Sequence, residues 1–228
     1  MSNRHVWLRL VTTISLVLIL GVSMSAYGFG GDSWKEEVLL HDGSALIVSR
    51  SQSYGGRHEI GQAVPIAEHK ISFTVPGTHE TVIWKTERDP QTNQAILILL
   101  ALDVIRGVPY IATHPAGSIA YKQWGSPNPP YIFFKYDGRG WQRIATEEVP
   151  AEFKNINVVI NTLAHGKQFS SQGLVSAAMV KKLNSSLTQE EYKTIVRTPL
   201  EHWKPRPEHK GPKAPHPITP PATTNGTK

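Results

Sequence analysis

The chain contains no cysteine. Disulfides, a thiol nucleophile and a lipid-modified cysteine are therefore excluded, and an exported domain must hold together by its core alone. Catalytic signatures are missing too. There is no G-x-G-x-x-G and no P-loop, His79-Glu80 lacks the second histidine of H-E-x-x-H, and Ser118 and the other serines have no G-x-S-x-G context. No cofactor is implied. A zinc site would need the fold to gather His58, His69, His79 and His114, and no metal is expected. The body also lacks basic clusters. Of the net +6, residues 1–31 supply +2 and residues 199–228 supply +3, which leaves 17 bases against 16 acids between them. A nucleic-acid binder carries its basic residues in a clustered patch, so nucleic acid is not an expected partner.

Charge is absent from Leu10 to Gly31, behind Arg4 and Arg9. This segment supports two readings. A cleaved secretory signal needs an apolar region of about 7–15 residues and then small residues. Ile14 to Val22 followed by Ser23-Met24-Ser25 or Ala26-Tyr27-Gly28 meets that need. An uncleaved anchor needs roughly 20 apolar residues, and Leu10 to Gly31 is long enough, with Tyr27 and Phe29 placed for the far interface. Both readings keep Arg4, His5 and Arg9 in the cytoplasm and export everything from Asp32. The expected location is the inner membrane, single-pass, with the domain in the periplasm; the alternative is a cleaved protein soluble in the periplasm or secreted.

Three segments follow: a leader over 1–31, a β-rich domain over 32–198 and a tail over 199–228. The tail holds eight prolines and few large aliphatics. Such a composition cannot bury enough apolar surface to offset its ordering entropy, and disorder is expected there.

The domain reads as strands over 37–146. Glu37 to His41 and Ala45 to Arg50 flank Asp42-Gly43, a tight-turn dipeptide. Ile71, Phe73 and Val75 share a phase, as do Val82 and Trp84 after Pro76-Gly77. Ala95 to Leu102 has the composition of a strand covered on both faces. Val108 to Thr113 and Ile119 to Gln123 read as short strands, and Tyr131 to Tyr136 with Trp141 to Ala145 as a hairpin around Asp137-Gly138. Asp103 and Asp137 read as turn residues. Val175, Met179 and Leu183 then recur every four residues, and Thr188 to Glu191 forms a capping-box sequence. Two helices over about 174–198, joined at Asn184 to Leu187, are expected to pack as a hairpin. The expected fold is mainly β: an antiparallel meander, sandwich or barrel-like sheet with a small C-terminal helical hairpin. A region this size supplies two propeller blades at most, short of the usual 4–8.

Two loops carry candidate binding residues. Tyr54 to Gln62 offers the Arg57 guanidinium, the His58 imidazole, the Glu59 carboxylate and the Gln62 amide in one stretch. Tyr121 to Tyr131 places Tyr121, Trp124 and Tyr131 beside three prolines, a composition suited to a peptide or sugar face. These residues support a non-enzymatic envelope binding or scaffolding module with a protein or glycan partner. The alternative is a periplasmic hydrolase acting on envelope glycans or peptides, with Glu59 or Asp103 working beside His58 as an acid–base pair.

Trp34 to Gly43, the Tyr54 to Gln62 loop, Asn128 to Gly138 and Leu183 to Gln189 together resemble a family of uncharacterised proteobacterial proteins. The resemblance covers roughly residues 32–198. It implies a leader or anchor followed by a periplasmic domain, and brings neither an activity nor catalytic residues.

Overall fold

Apolar and polar side chains alternate through the first four strands, so one face of their sheet is buried and the other wet. The computed structural model describes residues 31–203, apart from Arg57, Glu87, residues 91–93 and Ala95. Strands β1 (Gly31–Leu39), β2 (Ala45–Tyr54), β3 (Ile66–Thr74) and β4 (Thr81–Lys85) form an antiparallel meander. The Asp42-Gly43 turn closes β1 on β2. Gly43 has φ +82, a conformation that suits glycine, and Asp42 Oδ1 accepts from the Ser44 N–H at 2.9 Å. That turn sets Leu39 opposite Ala45 and carries the register back to Gly31 opposite Ser53.

The second sheet is another meander: β5 (Leu97–Ile105), β6 (Val108–Pro115), β7 (Ile132–Tyr136) and β8 (Trp141–Ile144). The apolar run in β5 is buried on both faces, as its composition predicts. One face joins the first sheet in a shared core of Val38, Val48, Ile71 and Trp84 against Leu99, Leu102, Ile111 and Ile132. The other face is covered by the C-terminal part of the chain, where Phe133 and Tyr110 meet Phe153, Ile195 and Leu200. Both sheets are open, so the barrel alternative does not describe this molecule.

Helices are short: α1 (Gly117–Gln123), α2 (Gly166–Gln172) and, after the two-residue strand β9 (Leu174–Val175), α3 (Ala177–Asn184). β9 pairs in parallel with β1 and extends the first sheet. Three expectations are corrected. Ile119 to Gln123 lies in α1, where Ala120 is the buried residue and Ile119 faces solvent, so strand alternation has no sheet to serve there. The second helix of the hairpin is a single 3-10 turn, Glu190–Tyr192. Gln189, not Thr188, precedes it, with no side-chain cap. The expected tail boundary at 198/199 is displaced, because Leu200 is buried and Trp203 packs against His114 with ring centroids 5.2 Å apart. Residues 1–30 and 204–228, which include the leader and most of the tail, lie outside the described residues. Among the described residues no helix is long and apolar enough to cross a membrane.

The inward face of the first sheet changes character along its length. Val38, Leu40, Leu46 and Val48 are apolar, whereas Asp32, Glu36, Arg50, Gln52 and His69 on the same face are polar and buried. Glu36 and Arg50 form a fully buried ion pair at 2.9 Å. Both oxygens of Glu36 and the Nη1 of Arg50 have further partners. Glu36 accepts from Trp34 Nε1 at 2.9 Å and from the Val159 N–H at 2.7 Å; Arg50 Nη1 donates to the Val159 carbonyl at 2.9 Å and its guanidinium lies over the Trp34 ring. Gln52 donates to the Thr162 carbonyl at 3.1 Å, and the Tyr54 hydroxyl donates to Asp32. Burial, with the Asp32 hydrogen bond adding to it, pushes the Tyr54 phenol up to about 12. Burial, reinforced by the Arg50 charge, pushes the His69 imidazole down to about 3, so it is neutral. Gly166 opens α2 where a Cβ would collide with Asp32 and Gln52, so the helix sits directly on this polar row.

Removing one partner of a buried pair strands the other charge. Glu36→Ala should therefore lower the unfolding free energy by about 3–5 kcal/mol. The double exchange Glu36→Leu with Arg50→Met should lose less than either single change. Urea denaturation of the four variants (Glu36→Ala, Glu36→Leu, Arg50→Met and the double exchange) decides; near-identical wild-type stability for Glu36→Ala is the contrary result.

Candidate functional site

A cleft of about 660 Å³ lies between α3, the irregular segment around Asn155 to Asn157 and the 3-10 turn at Tyr192. Its size falls in the range of small-ligand sites, about 300–1,000 Å³. Leu39 at the end of β1, Ile156, Ala178, Val180, Leu187 and Tyr192 supply apolar lining, and Lys181 and Lys193 add two ammonium groups. Local sequence explains the geometry. Ser176 accepts from the Met179 N–H and starts α3, Val180 turns into the core, and Ala178 and Lys181 face out. Glu37 Oε2 accepts from the Ala177 N–H at 2.9 Å, which ties the start of the helix to β1.

Side chains replace a strand partner along the opposite wall. Val158 and Val159 are fully buried but belong to no strand, so their peptide groups need partners from elsewhere. Asn184 at the end of α3 donates to the Val158 carbonyl at 2.8 Å and accepts from the Ile160 N–H at 3.2 Å. The Glu36–Arg50 pair takes both peptide groups of Val159. Asn157 donates to the Leu39 and Leu102 carbonyls at 2.9 and 2.8 Å and accepts from the Leu102 N–H at 3.0 Å, which pins β1 to β5. The cleft walls are thus held in place without a ligand.

Leu39 and Leu102 lead to the second feature. Asp103, 1% exposed, lies inside β5 rather than in a turn, and its carboxylate accepts from His41. His41 Nδ1 lies 2.8 Å from Asp103 Oδ1, and the His41 and Val104 backbone N–H groups also point at this carboxylate. The Asp103 hydrogen bond raises the His41 pKa above its ordinary 6.5, with burial opposing and the charges of Asp103, Asp42 and Glu152 adding. Among the described residues no hydrogen bond or ion pair joins the buried Asp103 to the exposed His58. The imidazole that Asp103 orients is that of His41, which follows β1 at the Asp42-Gly43 turn.

The first candidate loop is an exposed connection between β2 and β3. His58 Nδ1 lies 3.1 Å from the Gly56 carbonyl, Gln62 donates to Glu59 at 3.4 Å, and Arg57 lies outside the described residues. The aromatics of the second loop turn inward. Tyr131 is buried, and its hydroxyl donates to the Glu191 carbonyl at 2.9 Å. Its phenol is raised by burial. Trp124 packs on Phe134 with Arg143 over its other side, and Tyr121 meets the Trp203 ring at 5.7 Å. Asn128 holds this cover in place by accepting from the Leu200 N–H at 2.7 Å and donating to the Trp203 carbonyl at 3.2 Å. Tyr121 and Tyr131 are therefore covered by residues 200–203, while Trp124 is half-buried against Phe134 and Arg143, so the three do not form one exposed aromatic face. Nor are the histidines gathered: among the described residues no group of three or more His, Asp or Glu could hold a metal ion.

No protein-family model matches this chain, and no curated protein or solved structure is significantly similar to it.

Asp103 binds the protonated imidazole better than the neutral one, so the His41 contribution to stability is complete below the ordinary 6.5 and is lost as pH rises through the elevated folded-state value. The stability gap between wild type and His41→Gln should accordingly be larger at about pH 5.5 than at about pH 9. Urea midpoints at both pH values measure it, and a gap that grows with pH contradicts the assignment.

Proposed function

We propose that this chain is a non-enzymatic envelope module that binds a ligand in the α3 cleft. One observation carries the reading: apolar side chains and two ammonium groups share the lining of a cleft whose walls are already fixed by Asn157 and Asn184. Pre-set walls reduce the ordering cost of binding. The envelope location rests on the leader, where a charge-free run follows Arg4 and Arg9. Resemblance to the uncharacterised exported family points the same way.

A hydrolase is the second reading, and the His41–Asp103 pair favours it. A carboxylate that orients Nδ1 leaves Nε2 as the face that would take a proton. This pair replaces the His58 combinations suggested by the sequence. The two readings separate cleanly, since His41→Gln removes the base and leaves the α3 cleft intact.

Ala178→Trp places an indole in the cleft from an exposed helix position. Native mass spectrometry of the full chain extracted from host membranes should show a non-covalent adduct on wild type and on His41→Gln, but not on Ala178→Trp. Equal adducts on all three overturn the cleft as the binding site. On the same sample, the mass of a chain that retains residues 1–31 is expected in the membrane fraction; a processed, freely soluble protein recovered alone contradicts the anchored form.

A further inference from the structure

The cleft's own hydrogen bonding narrows the ligand. Apart from the exposed Asn155 amide and the two lysines, its polar side chains are engaged within the protein. All three hydrogen bonds of Asn157 go to Leu39 and Leu102, and both of those made by Asn184 go to the 158–160 backbone. Ser185 donates to the Lys182 carbonyl at 2.7 Å, and the Tyr192 hydroxyl lies 3.4 Å from His114 Nε2. A peptide or sugar laid in this groove would bring N–H, C=O or O–H groups that lose water and find few partners. An alkyl chain makes no such demand, and Leu39, Ile156, Val180 and Leu187 offer it a matching surface.

Charge fixes the other end of the ligand. Lys181 and Lys193 line the cleft, and among the described residues neither ammonium has an ion-pair or hydrogen-bond partner. Glu37, the acid tied to the start of α3, has an oxygen engaged by the Ala177 N–H, whereas Lys181 lies in the last turn of the helix. A monoanionic head on an unbranched apolar tail complements this distribution. We propose that the cleft holds a free long-chain fatty acid, its tail on the Leu39–Val180 lining and its carboxylate at Lys181 and Lys193. The proposal rests on the cleft being the binding site.

The test uses the full chain in zwitterionic phosphatidylcholine nanodiscs and a diazirine-bearing palmitate as probe. Photolabelling should map to peptides containing Leu39, α3 or Tyr192, and excess oleate should compete where oleyl alcohol does not. Lys181→Gln with Lys193→Gln should weaken labelling about tenfold, as loss of a charge-assisted contact does. The paired Lys→Arg exchange should restore labelling and serves as the folding control. Labelling confined to residues 1–31, or equal labelling of the Gln and Arg pairs, overturns the proposal. Equal competition by phosphatidylglycerol or by an acidic peptide overturns the commitment to a free fatty acid. If Ala178→Trp removes the host-derived adduct while palmitate never labels the cleft, the ligand assignment fails and the binding role stands. If Ala178→Trp changes neither readout, both fail.

Discussion

The buried Glu36–Arg50 pair is the constraint from which the C-terminal half of the molecule takes its position. An ion pair taken out of water is costly unless its remaining valences are filled. Here Glu36 also accepts from Trp34 and from the Val159 N–H, and Arg50 Nη1 donates to the Val159 carbonyl. Val159 is thereby joined to the first sheet with no strand present to do it. On either side of it Asn184 bonds the Val158 carbonyl and the Ile160 N–H, and the Asn157 side chain ties the same segment to Leu39 and Leu102, so four side chains substitute for a missing ladder. Once residues 157–160 are fixed, α3 has a wall to face, and the cleft between them is a consequence of the same hydrogen bonds.

The two sheets contribute differently. In the second, β5 and β6 are buried on both sides, between the shared core and the Phe153–Leu200 cover, and form the middle layer, whereas β8 is partly exposed. The first keeps a wet outer face with Ser49, Lys70 and Thr81, and exposes Leu39 and Ile47 near its turn end. Leu39 therefore belongs at once to a strand held by the core and to the cleft lining. That dual position ties one edge of the cleft to the sheet, whereas the Gly56–Gln62 connection has only local hydrogen bonds to define it.

Much of the sheet architecture was legible because alternation and turn dipeptides are local. Asp42-Gly43 and Asp137-Gly138 both close hairpins, and Ile71, Phe73, Val82 and Trp84 all face the core as their phase predicts. The buried pair was legible in principle. Glu36 shares the phase of Trp34 and Val38, Arg50 that of Leu46 and Val48, and the turn sets Trp34 opposite Arg50 and Glu36 opposite Val48, which makes the two charges diagonal neighbours. Reading the strands as starting at Glu37 and ending at Arg50 left both charges on the margin, and the near-neutral body made them look like solvated surface. Other features had no local trace. β9 is two residues long and pairs in parallel across more than 130 residues of sequence. The cleft depends on asparagines whose role follows from which buried carbonyls they meet. The aromatic loop was found, but the sequence could not show that Leu200 and Trp203 lie over it.

The most direct test of the central constraint is native-state hydrogen exchange at the Val159 amide, whose N–H donates to Glu36 Oε1 at 2.7 Å. If the pair anchors this segment, that amide exchanges only through global unfolding, as slowly as core β-strand amides such as Ile71. Exchange through a low-energy local opening, with Ile71 still protected, would show that the 157–160 wall moves independently of the sheet and would contradict the account.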